Sequence, residues 1–297
     1  VLIECGIRRR FNQQNGTIFA AVNVEISMQN GLEIERMTCE IVYYSATGAT
    51  ENIVKAFSKD LSDEVTYTKI DMFSHEYAAL SDADLLVFAS PVYGGRIPER
   101  IMKCFEKKCT EGKPVVGIAV YGNMHFGASL AQLRELAKKH HCSFVGAGAF
   151  IAEHTYSFKD APIAEGRPSA RDLEQATLFG QAVQNKLSAN DTTNVTLPPS
   201  WFPLLLTKLP ESTLRPVVKK PVIIGDCNRC GACARICPTK AIDTDTLIIN
   251  ESKCIRCFAC VKKCPQKARK GELIFKWLRY PFSSIGSKQK EPVWRVQ

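Results

Sequence analysis

Eight of the thirteen cysteines stand in one pattern that occurs twice. Cys227, Cys230, Cys233 and Cys237 precede Pro238; Cys254, Cys257, Cys260 and Cys264 precede Pro265. Each copy reads C-x2-C-x2-C-x3-C-P, and the second begins 27 residues after the first. Thiolates at this spacing grip an iron–sulfur cube, a group that exchanges electrons singly. Two C-x2-C pairs would also serve zinc, but the third cysteine at the same interval and the C-P ending of both copies disfavour it.

A second constellation suits a phosphate. Residues 45–52 read Ser-Ala-Thr-Gly-Ala-Thr-Glu-Asn between an apolar run and a stretch with helical spacing. Hydroxyls and N–H groups of Ser45, Thr47, Gly48, Ala49 and Thr50 would gather at a helix N-terminus, which binds phosphate without a cationic side chain. The G-K-[ST] ending of a Walker loop is absent, and so is the dinucleotide fingerprint G-x-G-x-x-G. The nearest match, Gly146-Ala-Gly148, lies inside a predicted strand and has no third glycine. Two further loops, Pro91-Val92-Tyr93-Gly94-Gly95 and Tyr121-Gly122-Asn123, follow predicted strands. Tyr93 and Tyr121 suit a flat ring, and the glycines let main-chain N–H groups approach it.

Three histidines are candidates for different roles. His125 and His154 fall near these loops and suit donation of a proton or hydrogen bond to a cofactor or substrate, against the plainer roles of a solvated loop and a structural hydrogen bond. His75 needs no function. Cys5, Cys39, Cys104, Cys109 and Cys142 have no metal spacing and read as buried small apolar residues. No Ser-His-Asp set and no paired carboxylates stand out.

The elements that must position these groups alternate. Apolar runs at 40–44, 65–70, 84–89, 115–121 and 143–151 predict strands; stretches at 50–61, 98–109, 128–140 and 169–187 carry helical signals. Strands alternating with helices imply a doubly wound parallel sheet. In the order 2-1-3-4-5 its ligand lies beyond the carboxyl ends of the strands, between strands one and three, where all three loops converge.

On these residues the chain resembles two families. Residues 38–188 are similar to flavodoxin, whose S/T-x-T-G-x-T loop holds the phosphate of FMN. Residues 222–270 resemble the two-[4Fe–4S] ferredoxin, and the pairing resembles fused flavodoxin–ferredoxin proteins of anaerobic microbes. The resemblance implies an α/β fold: a flavodoxin-like five-stranded parallel sheet, order 2-1-3-4-5, followed by a small α+β dicluster ferredoxin domain. It places FMN phosphate on Ser45, Thr47, Gly48, Ala49 and Thr50, and its ring on Pro91, Val92, Tyr93, Gly94, Gly95, Tyr121, Gly122 and Asn123. It also implies crossed ligation, with Cys227, Cys230, Cys233 and Cys264 on one cluster and Cys237, Cys254, Cys257 and Cys260 on the other.

The remaining expectations concern organisation. Residues 1–37 read as an N-terminal extension, either upstream of a natural start at Met37 or a poorly ordered native arm. Residues 38–190 form the first domain and 222–270 the second. Between them, 191–221 holds six prolines and reads as a linker anchored through Trp201, Phe202 and residues 204–206. The tail, 271–297, is expected to pack across the small domain. No run is apolar for the ~20 residues a membrane helix needs, and metal thiolates suit a reducing cytoplasm. The net charge of +9 is concentrated at the cysteines: residues 221–270 hold ten Lys/Arg and four Asp/Glu. Compensation of anionic clusters, or docking of an acidic partner, explains it better than nucleic acid. The expected function is one-electron transfer between the clusters and FMN with a redox-protein donor or acceptor. The alternatives are reduction of a small quinone, nitro or azo acceptor, and a metal-bound scaffold without flavin.

Overall fold

The structure, a computed structural model, describes residues 37–61, 64–71, 80–200, 218–275, 277 and 279–297. The expectations for residues 1–36, Cys5, His75, Trp201, Phe202 and 204–206 lie outside the described residues.

Five parallel strands make up most of the main sheet: β1 (Thr38–Tyr43), β2 (Glu64–Lys69), β3 (Leu85–Pro91), β4 (Pro114–Tyr121) and β5 (Ser143–Ile151), in the order β2-β1-β3-β4-β5. β3, β4 and β5 are buried almost throughout, as their unbroken apolar sequences demand of strands covered on both faces. Helices α2 (Glu99–Lys108) and α3 (Ser129–Lys139) place Phe105 and Leu133 on one face, against Phe88 and Phe144. Helices α1 (Ala49–Phe57) and α4 (Ala170–Ser188) place Phe57 and Phe179 on the other, against Ile41 and Val87. Gly146 and Gly148 sit inside β5, where Phe179 of α4 fills the space their side chains would take.

One expectation needs correction. The main sheet has six strands, because the tail adds β8 (Val293–Arg295) antiparallel to β5, pairing Gly148 with Trp294. The Trp294 ring packs on Phe179 with centroids 5.7 Å apart. The earlier part of the tail meets the small domain, where Leu273 joins Val218 and Phe258 and Phe282 packs against them. Without β8 the β5 edge would be open, and Val293–Arg295 cover it while Trp294 packs on the α4 side. The expected linker also begins as packed chain: Val195 donates its N–H to the Phe144 carbonyl at 2.9 Å.

The small domain consists of a two-stranded antiparallel sheet, β6 (Val222–Ile223) and β7 (Arg269–Lys270), and two single-turn helices, α5 (Ala232–Arg235) and α6 (Ala259–Lys262). Its apolar core is thin: Ala234, Ala241, Ile242, Leu247 and Ile249 with the cysteines. The two cysteine copies fold alike. Left-handed backbone recurs 27 positions apart, at Arg229 and Arg256, Gly231 and Phe258, Lys240 and Lys267.

The junction between β5, α4 and the tail rests on one carboxylate. Ser169 and Asp172 form a capping box at the start of α4, and Asp172 also accepts from the Arg167 guanidinium. Arg167 in turn donates to the Lys290 carbonyl at 3.0 Å, which ties in the tail. Burial pushes the Asp172 carboxyl up, but Arg167 and Ser169 outweigh it and hold it below the usual carboxylate value. A carboxyl lowered in this way stabilises the fold fully above its unfolded pKa, and that stability is lost as pH falls through the folded one. Asp172→Asn is therefore expected to cost about 1–2 kcal/mol at neutral pH. Denaturant unfolding should show the variant and the wild type converging below about pH 4.

Candidate redox site

The carboxyl ends of β1, β3, β4 and β5 open on a cavity of about 320 Å³. That is the lower end of the range for cofactor sites, at the place where doubly wound sheets bind ligands.

The loop after β1 presents Ser45, Thr47, Ala49 and Thr50 to this cavity. Gly48 does not line it; with φ +99° it makes the left-handed turn that starts α1, and a Cβ there would meet nothing within 4 Å. Glycine is needed at 48 for the backbone angle, not for space. The Ser45 hydroxyl accepts the N–H groups of Gly48 at 3.2 Å and Glu51 at 3.3 Å. The start of α1 is thereby aimed at the cavity, a setting that suits an anion.

The loop after β3 contributes Pro91, Val92, Tyr93 and Gly94. Gly95 is turned away: its carbonyl accepts the Ala128 N–H at 2.7 Å. The Tyr93 hydroxyl neighbours that of Tyr44, which among the described residues has no hydrogen-bond partner of good geometry. Burial pushes both phenols well above their ordinary value, with the Cys257 thiol adding to the effect.

The loop after β4 divides. Tyr121 and Gly122 line the cavity, although the Tyr121 ring stands edge-on to Phe126 at 5.8 Å and belongs to the core. Asn123 and His125 do not line it, contrary to expectation. The Asn123 amide donates to the Gly286 and Lys288 carbonyls of the tail at 2.7 and 2.8 Å, so its side chain is buried as a tether. His125 stacks on Phe126, and its Nδ1 accepts the Gly127 N–H at 2.6 Å.

His154, by contrast, does line the cavity. Its Nδ1 accepts the Tyr156 N–H at 3.0 Å, so the neutral ring carries its proton on Nε2. Burial, helped by the Lys262 charge, lowers its pKa to about 4 and keeps the ring neutral at physiological pH. Gly122 touches it: a Cβ on Gly122 would lie 2.2 Å from His154 Cδ2 and 2.8 Å from its Cα.

The cavity has a second wall that the sequence did not announce. Val218, Ile255, Arg256 and Cys257 of the small domain, with Phe282 of α7 (Arg279–Gly286), complete it. Tyr156 meets Phe258 edge-on at 5.0 Å, and Lys262 pairs with Glu153 at 2.5 Å across the same contact. No local pattern marks such a wall, because its residues are distant in the chain and become neighbours only when the domains pack.

The eight motif thiols fall into two groups. Cys227, Cys230, Cys233 and Cys264 surround one small depression with Arg269. Cys257 and Cys260 lie near each other and near Cys237 and Cys254; burial, with these thiols, pushes Cys257 and Cys260 up to about 12. The Ala241 N–H donates to Cys237 Sγ at 3.2 Å, and Arg269 to Cys233 Sγ at 3.6 Å. Donors of this kind stabilise thiolate sulfur. Among the described residues no three such side chains converge tightly enough to hold a single ion. A cubane keeps its thiolates further apart than one ion does, and these residues fit it.

A flavodoxin domain model matches residues 40–151, and a 4Fe-4S dicluster domain model matches residues 226–268. No curated relative matches the chain. Among solved structures, a flavodoxin from the domain Archaea is 15% identical, covering 51% of this chain and 99% of its own with a TM-score of 0.39. Flavodoxin 2 from Bacillus cereus is 19% identical, covering 50% and 99% with a TM-score of 0.40. A WrbA-like flavodoxin from Agrobacterium tumefaciens is 23% identical, covering 52% and 98% with a TM-score of 0.39. No helix among the described residues is long and apolar enough to cross a membrane. The two family matches put a flavodoxin domain and a 4Fe-4S dicluster domain on one polypeptide, the domain pair of a flavin and iron–sulfur electron-transfer protein.

Proposed function

We propose that the chain is a relay that moves single electrons between FMN and two [4Fe–4S] clusters, and through them to a partner redox protein. The observation that carries this reading is that Cys257 lines the same cavity as Thr47, Tyr93 and Gly122. When bound, FMN stores one or two electrons and the clusters exchange them singly.

In this reading Ser45, Thr47, Ala49 and Thr50 hold the FMN phosphate at the start of α1, with Gly48 shaping their turn. Pro91 to Gly94, Tyr121 and Gly122 border its ring, and His154 offers Nε2–H as a fixed neutral donor. Cys237, Cys254, Cys257 and Cys260 hold the inner cluster beside the ring; Cys227, Cys230, Cys233 and Cys264 hold the outer one. Val218, Ile255 and Phe282 exclude water from the contact. The same residues occupy the space above the ring that a small quinone, nitro or azo acceptor would need, which favours the carrier over the reductase.

Protein purified without air should contain about eight iron and eight sulfide atoms per FMN. Stopped-flow reduction should carry electrons between clusters and flavin within one molecule, at a rate independent of protein concentration. Zinc in place of iron, no flavin, or a rate that scales with concentration would refute the relay.

A further inference from the structure

We infer that the outer cysteine group is the port for a partner, and that the partner is a one-electron redox protein with an acidic rim around an apolar centre. This inference rests on the relay reading above. The two thiol groups differ in access: Cys230 is exposed and Cys227, Cys233 and Cys264 are half-buried, whereas Cys254, Cys257 and Cys260 are buried and only Cys237 of their group is half-buried. The inner group faces the cavity, so the outer group is where a second protein comes closest to a cluster.

The surface around Cys230 has the make-up of an interface. Val222, Ile223 and Ile224 are consecutive and are 47%, 40% and 60% exposed. Ile223 lines the same depression as Cys230, Cys264, Pro265 and Gln266, and the Ile224 N–H donates to the Ala268 carbonyl, which fixes the strip beside the outer thiols. Three exposed apolar residues in a row, bordered by charge, suit a docking centre and its rim.

The rim is basic. Arg229, Arg235, Lys263 and Lys267 are exposed. Arg235 donates to the Cys230 carbonyl at 2.9 Å and Arg229 to the Asp245 carbonyl, so these contacts leave their charge unneutralised. Other cations of the small domain are engaged elsewhere, Arg256 with Glu251 and Lys262 with Glu153. Asp226 is the one carboxylate in the run from 222 to 230. A field of this sign steers and orients an acidic protein. An exposed cluster ligand at its centre selects a redox partner over nucleic acid or an anionic membrane.

The test uses the loaded full-length chain under anaerobic conditions, with a strongly acidic small ferredoxin as probe. Calorimetry should show binding that weakens with salt, and carbodiimide cross-links should map to Lys263 or Lys267. The double variant Ile224→Glu/Lys267→Glu should bind about tenfold more weakly at low salt, and the remote control Lys138→Glu should bind as wild type does. If the double variant loses iron, Ile224→Thr and Lys267→Gln made separately serve the same comparison. Unchanged binding by the port variants, cross-links confined to the flavodoxin domain, or tighter binding to duplex DNA or anionic vesicles would overturn the inference. Dithionite reduction of the same samples without probe reports on the relay alone: clusters that reduce while the flavin never exchanges with them defeat the relay and leave the binding result to stand or fall by itself.

Discussion

Cys237→Ser is expected to abolish the inner cluster, built on Cys254, Cys257 and Cys260, and not the cluster of its own sequence neighbours. Cys264→Ser should do the reverse and resemble Cys227→Ser. The reason is the crossed grouping: Cys264 lines the depression of Cys227, Cys230 and Cys233, and Cys237 lies among the thiols of the second copy. Loss of one ligand should reach beyond its own cluster. The apolar core here is a few alanines, isoleucines and a leucine, too small to hold the fold unaided, so metal binding supplies much of the folding free energy. Iron in Cys237→Ser should fall to about half of the wild-type content or lower. Electron paramagnetic resonance of the reduced protein should lack the same signal as Cys254→Ser. A Cys237→Ser protein that keeps that signal and loses the other would show that each copy holds its own cluster.

Gly122→Ala is expected to weaken FMN binding about 100-fold, or about 2.7 kcal/mol, with iron content unchanged. The added methyl would lie 2.2 Å from His154 Cδ2 and 2.8 Å from His154 Cα. The imidazole cannot swing aside cheaply, because Nδ1 accepts the Tyr156 N–H and the His154 N–H is bonded to the Ile163 carbonyl. The strain must then part the loop after β4 from the segment after β5, two walls of the cavity. Adding His154→Ala removes the imidazole but not the main-chain clash and should restore part of the affinity. Fluorescence titration with FMN measures all three proteins. Wild-type affinity in Gly122→Ala would place the ring elsewhere than beside this contact.

The strands and helices were legible because each carries a strong local period. The expected strand at 143–151 coincides with β5, and the expected helix at 169–187 differs from α4 by one residue at each end. Loops were harder. Ser45, Thr47, Tyr93 and Gly122 reach the cavity, but Asn123 and His125, beside them in sequence, are turned to the tail and to Phe126. A loop reverses its side chains within one or two residues, so proximity in sequence does not decide which of them face a site. The tail was read only in part: Leu273 and Phe282 pack by the small domain as expected, whereas Val293–Arg295 pair with the edge of β5, which no local signal marks.

The amino-acid order alone determined the chemistry, because cysteine spacing and a hydroxyl-rich turn before a helix are local properties that hold wherever the segments lie. It determined the parallel sheet as well, through strands apolar on both faces. Only the tertiary structure decided that the small domain closes the cavity through Ile255 and Cys257, that one thiol group lies inside and the other at the surface, and that the tail completes the main sheet. These depend on long-range packing between surfaces, whose complementarity is spread over many distant residues and has no period to read.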